Sequence, residues 1–149
     1  SVNHHANTIS YKTAPIIVTG TGTNAQHSFF QLLHQGTDII PVEFIGIKDN
    51  NNYNNQSENQ AQKLLNANMY AQIEALQLGK SAKNKHYILK GKKPSSLLLL
   101  NDISPYIMGQ LIAYYENKTI FEGLIWNINS FDQLGVELGK KLIPKFISQ

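Results

Sequence analysis

The chain has 149 residues, enough for one domain with a hydrophobic core. Its 42% hydrophobic and 15% charged residues are typical of a globular protein, and its net charge of +3 comes from scattered lysines that do not indicate a nucleic-acid partner. The absence of cysteine excludes disulfides and thiol catalysis, and no apolar run is long enough to cross a membrane.

The first third of the chain predicts an arm, a strand and a helix. Residues 1–14 are polar and aperiodic, which favours a loop or arm. The β-branched run Ile16–Val18 predicts a strand buried on both faces. A helix follows, capped by Thr23 or Asn24 and ended by Gly36. Its predicted inward-facing residues are Phe29, Leu32 and Leu33.

The middle of the chain predicts a second strand and a long helix. The strand lies within residues 38–47, and an asparagine-rich segment at 49–60 predicts an exposed loop. A helix is predicted from about Gln60 to Leu78, closed by Gly79. Its apolar residues at helical spacing are Leu64, Leu65, Met69, Ile73 and Leu76. Residues 81–94 predict an irregular basic connection.

The last third begins with a third strand at 95–103. A helix over 104–118 is predicted next, with Ser104 as its cap and Pro105 at its first position. The apolar stretch 123–129 predicts a fourth strand.

A final helix is predicted over 130–148, capped by Ser130 or Asp132 and bent or ended by Pro144. Apolar strands that alternate with helices predict an α/β fold with a parallel, doubly wound sheet. In such folds ligands bind beyond the carboxyl ends of the strands.

The turn after the first predicted strand contains Gly20, Gly22 and Ala25, which spell G-x-G-x-x-A, with Glu43 about twenty residues further on. This is the outline of a dinucleotide-binding turn. A tight turn between a strand and a helix needs glycine in any case, and Glu43 lies inside the predicted strand rather than at its end. A nicotinamide-binding domain is therefore one hypothesis among several.

Three polar side chains are candidates for chemistry. His27 is predicted in the first turn of a helix, where it is either a neutral acid–base group or an ordinary surface or packing residue. Gln133 and Lys140 are seven residues apart, about two helical turns, and therefore share a face. Lys140 also has an ordinary explanation as a surface partner of Glu137. No metal site is predicted.

Two stretches resemble the glucose-6-phosphate isomerase family: GTNAQHSFFQLLHQGT at 22–37 and GLIWNINSFDQLGVELGKKL at 123–142. The resemblance extends over nearly the whole chain from about Tyr11. It implies a three-layer, doubly wound, flavodoxin-like sugar-isomerase (SIS) domain that uses no cofactor and no metal. The sequence departs from the family pattern at Ala25, where glycine is common, and at Leu134, where tryptophan is common.

The resemblance implies roles for the three candidates. His27 helps to open the pyranose ring and comes from the partner subunit of a homodimer. Lys140 also serves ring opening and stabilises charge near the ring oxygen, and Gln133 contacts the substrate. The implied reaction interconverts glucose 6-phosphate and fructose 6-phosphate through a cis-enediol in the cytoplasm.

The resemblance also implies that part of the active site lies elsewhere. The family's base is a glutamate expected immediately upstream of Ser1, and an N-terminal domain supplies phosphate contacts. We therefore expect residues 1–149 to be a single C-terminal domain of a larger two-domain enzyme, with little activity alone. The rival hypothesis is a non-catalytic domain that binds a sugar phosphate.

Overall fold

The structure is a computed structural model that describes residues 1–48 and 56–147. The chain divides into two compact units. The sheet unit comprises Pro15–Met108, and the helical unit comprises Ser1–Ala14 together with Gly109–Gln149. Each unit is described by itself below.

The sheet unit is built on two parallel strands, β1 (Val42–Ile47) and β2 (Ser95–Leu100). They pair in register, with Val42 opposite Ser95 and Ile47 opposite Leu100. Parallel strands require a crossover connection, and helix α3 (Gln56–Leu78) lies in that connection. The second and third predicted strands are therefore confirmed, with Pro41 immediately before β1.

Helix α3 packs against the sheet. A Cβ at Gly46 would lie 2.5 Å from Cε of Met69, so the glycine in β1 makes room for this side chain. Asn66, buried on α3, donates from Nδ2 to the Ile47 carbonyl oxygen at 2.8 Å. The predicted helix is confirmed, but Leu64 and Leu65 are exposed.

The predicted asparagine-rich loop begins at residue 49 and ends at residue 60. Residues 56–60 are instead the first part of α3, and residues 49–55 lie outside the described part of the chain. Glu58 in the first turn is one reason for the earlier start, since an acidic side chain near a helix N-terminus interacts favourably with the helix dipole and stabilises the helix.

The hydrophobic core lies in the sheet unit. Helices α1 (Gly22–Ala25) and α2 (Phe30–Gln35) replace the single helix predicted here. The rings of Phe30 and Phe44 meet edge to face, with centroids 6.4 Å apart. The buried core residues are Ala25, Phe30, Leu33 and Leu76, with Phe29, Ile40, Val42 and Phe44 packed against them.

The break between α1 and α2 changes the predicted cap and the predicted inner face. The N-cap of α1 is Thr21, not Thr23 or Asn24. Phe30 is buried, whereas Leu32, predicted to face inward, is 57% exposed. Interruption of the helix rotates its second part, which places Phe30 and Leu33 on the inner side.

The predicted first strand is wrong. Ile16–Val18 is irregular backbone, and these three side chains are 57–78% exposed. A strand forms only where its backbone N–H and C=O groups pair with a neighbour, and no described residue pairs with this segment.

Helix α3 ends where the backbone at Gly79 passes close to the backbone of residues 89–91. Gly79 and Gly91 both have φ of +67°, and a Cβ at Gly79 would overlap the carbonyl oxygen of Leu89. Lys80 and Leu89 exchange backbone hydrogen bonds of 2.8 and 2.9 Å across the crossing. Only glycine fits both the left-handed conformation and the close approach, so the predicted end of the helix at Gly79 is confirmed.

Helix α4 (Pro105–Ile125) begins as predicted. The Ser104 hydroxyl accepts a 3.4 Å hydrogen bond from the backbone N–H of Ile107, and Pro105 occupies the first helical position. The backbone N–H of Ser104 donates to the Asp102 carboxylate at 2.7 Å. Hydrogen bonds from the Ser104 side chain and backbone lower the pKa of Asp102.

The predicted fourth strand at 123–129 is also wrong, because α4 continues to Ile125. Asn127 has φ of +53°, the N–H of Ile128 donates to the Gly123 carbonyl at 2.9 Å, and the N–H of Asn127 donates to the Leu124 carbonyl at 3.2 Å. This is the Schellman arrangement that ends helices, with asparagine at the left-handed position.

Helix α5 (Leu134–Ile147) completes the described chain. The Gln133 carbonyl accepts the hydrogen bond of the Glu137 N–H at 3.0 Å, which makes Gln133 the N-cap in place of Ser130 or Asp132. Pro144 lies inside the helix, so it does not end it. None of the helices described is long and apolar enough to span a membrane.

The arm at residues 1–14 belongs to the helical unit. It forms an antiparallel bridge between Val2 and Thr8. The Tyr11 hydroxyl donates to the carbonyl oxygen of Trp126 at 2.5 Å, just after the end of α4. The predicted arm is therefore attached to the turn that follows α4.

Candidate functional site

His27 lies in the turn between α1 and α2, not in the first turn of a helix. Its backbone N–H donates to the Asn24 carbonyl at 3.1 Å, and its side chain is exposed. The predicted effect of a helix N-terminus on the imidazole therefore loses its geometric basis. The side chain is not in the core, so of the two ordinary alternatives the structure agrees with a surface histidine and not with a packing residue.

The neighbour of His27 fixes this turn. Gln26 donates from Nε2 to Oδ1 of Asn68 on α3 at 2.6 Å, in a partly buried position. Ala25, the residue before Gln26, is buried in the core. The exposed histidine therefore directly follows two anchored residues. Sequence analysis missed Gln26, and a polar residue next to a candidate histidine was the available signal.

The glycine turn has a simpler role than its outline indicated. Neither Gly20 nor Gly22 has positive φ. A Cβ at Gly20 would lie 3.3 Å from Cβ of Ala25, whereas a Cβ at Gly22 would meet nothing within 4 Å. Gly20 therefore serves close packing on Ala25, and Glu43 lies within β1, opposite Ser96.

Gln133 and Lys140 lie at the start and in the middle of α5. The position of Gln133 as N-cap places both residues on the same side of the helix, together with Glu137. Nζ of Lys140 is 3.8 Å from Oε1 of Glu137, and the two side chains are 65% and 53% exposed. An exposed pair at this distance is weak, so the lysine is available to an incoming anion.

The three candidates fall in different units. Gln133 and Lys140 are brought together on one face of α5 in the helical unit, whereas His27 belongs to the sheet unit. Each unit thus carries part of the candidate set.

The family model described as Phosphoglucose isomerase matches residues 1–149. The chain belongs to the phosphoglucose isomerase family. The match includes the turn with His27 and the helix with Lys140, so the resemblance stated from the sequence is confirmed.

Proteins named glucose-6-phosphate isomerase are similar to this chain in sequence. A glucose-6-phosphate isomerase of Treponema denticola is 48% identical over 99% of this chain and 29% of its own length. One of Borreliella afzelii is 50% identical over 99% of this chain and 28% of its own length. The chain therefore spans less than a third of the phosphoglucose isomerases that it matches.

A solved structure of the same family also matches. The crystal structure of a glucose-6-phosphate isomerase from Chlamydia trachomatis has a TM-score of 0.84 and 46% identity, covering 99% of this chain and 29% of that chain. This match confirms the predicted fold class, an α/β domain of the sugar-isomerase type with a parallel sheet.

Proposed function

We propose that this chain is the part of a glucose-6-phosphate isomerase that contributes His27, Gln133 and Lys140 to the active site. The family match over the whole chain carries this proposal. The reaction moves one proton between C2 and C1 of the open-chain sugar through a cis-enediol, so it needs ring opening first and a carboxylate base second.

His27 is proposed to act in ring opening. Opening the pyranose breaks the bond between C1 and the ring oxygen, so a proton must reach that oxygen as the C1 hydroxyl loses one. An imidazole both accepts and donates a proton near neutral pH. Exposure of His27, on a turn anchored by Gln26 and Asn68, supports the proposal because the ring is accessible while its backbone is held.

Lys140 is proposed to stabilise negative charge at the ring oxygen as the ring opens. An ammonium group aimed at developing charge stabilises it more strongly once water is excluded. Gln133 is proposed to hydrogen-bond the sugar from the same side of α5. The weak pair between Lys140 and Glu137 supports this role, because it leaves the ammonium group free to reorient.

The remaining parts of the active site are proposed to come from outside this chain. None of its glutamates matches the family's base, so the proton between C2 and C1 is moved by a carboxylate supplied elsewhere. We also propose a homodimer in which His27 reaches the partner's site, a cytoplasmic location and a sugar phosphate as the bound molecule.

The test uses the full-length enzyme, or a chimera in which this chain replaces the matching part of the Chlamydia trachomatis relative. A coupled assay should show that His27→Ala and Lys140→Ala each lower kcat about 10²–10⁴-fold, the usual range for acid–base groups. Lys141→Ala is the matched control, because Lys141 is an exposed lysine at the next position. Unchanged turnover in both test variants would refute the assignment.

We expect the isolated chain to show little or no isomerase activity under either of the two hypotheses left by the sequence. The full-length enzyme separates the two hypotheses. If the full-length enzyme is also inactive but binds fructose 6-phosphate in calorimetry, the non-catalytic binding domain is the better description.

A further inference from the structure

The turn that carries His27 has one directional link to the rest of the sheet unit. Nε2 of Gln26 donates to Oδ1 of Asn68 at 2.6 Å, across 42 residues and in a partly buried position. Among the described residues, it is the only side-chain hydrogen bond that residues 20–30 make. Ala25 is buried beside it, but apolar packing is non-directional, whereas a hydrogen bond has a preferred geometry. The Gln26–Asn68 hydrogen bond therefore sets the direction of this turn.

The backbone of the turn does not supply this restraint by itself. Helix α1 has four residues and no side-chain cap within the described chain, and a helix this short is not stable on its own. The preceding segment Ile16–Val18 is irregular and exposed. The N–H of His27 donates to the carbonyl of Asn24, which belongs to the same turn. Local bonds of this kind shape the turn but do not fix its position on the sheet unit.

Helix α3, which carries Asn68, is itself fixed to the end of a strand. Asn66 donates from Nδ2 to the carbonyl oxygen of Ile47 at 2.8 Å, and Oδ1 of Asn66 accepts from Nε2 of Gln62 at 3.0 Å. Ile47 is the last residue of β1, and ligands of parallel sheets bind beyond the carboxyl ends of the strands. Asn68 follows two residues later on the same helix. Through α3, the turn with His27 is therefore held in a defined position relative to that edge of the sheet.

The imidazole of His27 depends on this backbone for its own position. The side chain is exposed and makes no hydrogen bond to a described residue. His27 directly follows Gln26, so a rotation at Gln26 moves the imidazole. Proton transfer needs the two heavy atoms within about 2.6–3.2 Å of each other, and a displacement of about 1 Å can lower a rate about 100-fold. A contact that fixes Gln26 thus bears directly on the reactivity of His27.

We propose that Gln26 and Asn68 are positioning residues that orient the imidazole of His27, which rests on the ring-opening role proposed for His27 above. Gln26 supplies the hydrogen-bond donor and Asn68 the acceptor, and neither contacts the sugar. The pair requires an oxygen at position 68. Aspartate keeps such an oxygen, whereas leucine has a similar size and lacks it.

Steady-state kinetics of the full-length enzyme, or of the chimera with the Chlamydia trachomatis relative, test the proposal. Asn68→Leu and Gln26→Met should each lower kcat about 10–100-fold with little change in KM, because the pair acts on the reacting geometry and not on substrate binding. Asn68→Asp should restore most of the wild-type kcat. Gln31→Met is the matched control, because exposed Gln31 bonds only to Gln35 among the described residues.

The His27→Ala background distinguishes positioning from a general structural role. In that background Asn68→Leu should not lower kcat further, because the side chain that it orients is already gone. If Asn68→Leu does not fold, Gln26→Met is measured in its place. A further loss as large as that in the wild-type background would show that the pair supports the fold in general, and it would overturn the proposal.

Anomer exchange of glucose 6-phosphate, followed by NMR, isolates the ring-opening step. Opening and reclosing the ring exchanges the two anomers without moving a proton between C2 and C1. The enzyme-dependent exchange rate should fall with kcat in Asn68→Leu and Gln26→Met, and an unchanged exchange rate overturns the proposal.

The two levels of the proposal fail in different ways. Loss of turnover in His27→Ala together with unchanged kcat in both Asn68→Leu and Gln26→Met overturns the positioning role alone. Full turnover in His27→Ala overturns the proposed role of His27 and the positioning role with it.

Discussion

The sheet unit and the helical unit differ in how they are stabilised. The sheet unit contains every buried hydrophobic residue of the described chain: Ala25, Phe30, Leu33 and Leu76. In the described part of the helical unit the one buried residue is Gly123, which packs on the Ser130 side chain. The sheet unit has a core of its own, whereas no large apolar side chain is buried in the described part of the helical unit.

This difference shows that helices can be well defined in a unit without a buried hydrophobic core. In the helical unit, a Schellman motif and the Tyr11–Trp126 hydrogen bond define the end of α4. Each such bond contributes only about 0.5–1.5 kcal/mol, less than burial of a large side chain. The helical unit therefore has defined secondary structure without the packing that usually stabilises it.

The largest expected effect compares one leucine from each unit. Leu76→Ala removes a fully buried side chain and should lower the free energy of unfolding by about 2–5 kcal/mol. Leu142→Ala removes a side chain that is 47% exposed and should change it by less than about 0.5 kcal/mol in the isolated chain. Urea unfolding followed by circular dichroism measures both.

Equal losses for the two leucine variants would show that the helical unit has a core of its own.

A smaller effect is expected from two glycines. Gly79→Ala places a Cβ in a left-handed residue and against the Leu89 carbonyl, which should cost about 1–3 kcal/mol of stability. Gly109→Ala is the matched control within α4, where a Cβ meets nothing within 4 Å, and it should stabilise the helix by about 0.5–1 kcal/mol. Both are measured by thermal unfolding. If both variants change stability in the same direction, position 79 does not require glycine.

The sequence predicted elements well where local signals and tertiary packing agree. β1, β2, the end of α3 at Gly79 and the start of α4 at Ser104 all combine hydrophobic patterns with turn or cap residues. The errors at Ile16–Val18 and 123–129 have one cause. Short apolar runs do not distinguish a strand from other structures, because pairing with a neighbour decides. At 123–129 the neglected signal was Asn127, a residue that tolerates the left-handed position at a helix end.

The candidate site was less predictable than the fold. Spacing correctly placed Gln133 and Lys140 on one side of α5, because helical periodicity is a local property. The surroundings of His27 were not predictable from spacing, since they depend on the break after Ala25 and on contact with Asn68 across 42 residues. Local periodicity carries no information on such distant contacts.

The smallest expected effect concerns pH and again lies in the sheet unit. Burial, followed by the charge of Lys93, lowers the pKa of half-buried His34 from its ordinary value of 6.5. The unfolded state therefore binds more protons as pH falls through 6.5, so the free energy of unfolding decreases there and levels off below the folded-state pKa. Urea midpoints between about pH 7.5 and about pH 5.5 should fall for the wild-type chain and fall less for His34→Gln. His86→Gln is the control. Because His86 is exposed, this variant should show the same change of the urea midpoint with pH as the wild-type chain. If the urea midpoint of His34→Gln changes with pH as that of the wild-type chain does, another group causes the loss of stability at low pH. The charge of Lys93 near His34 would then have no measurable role in the stability of the sheet unit.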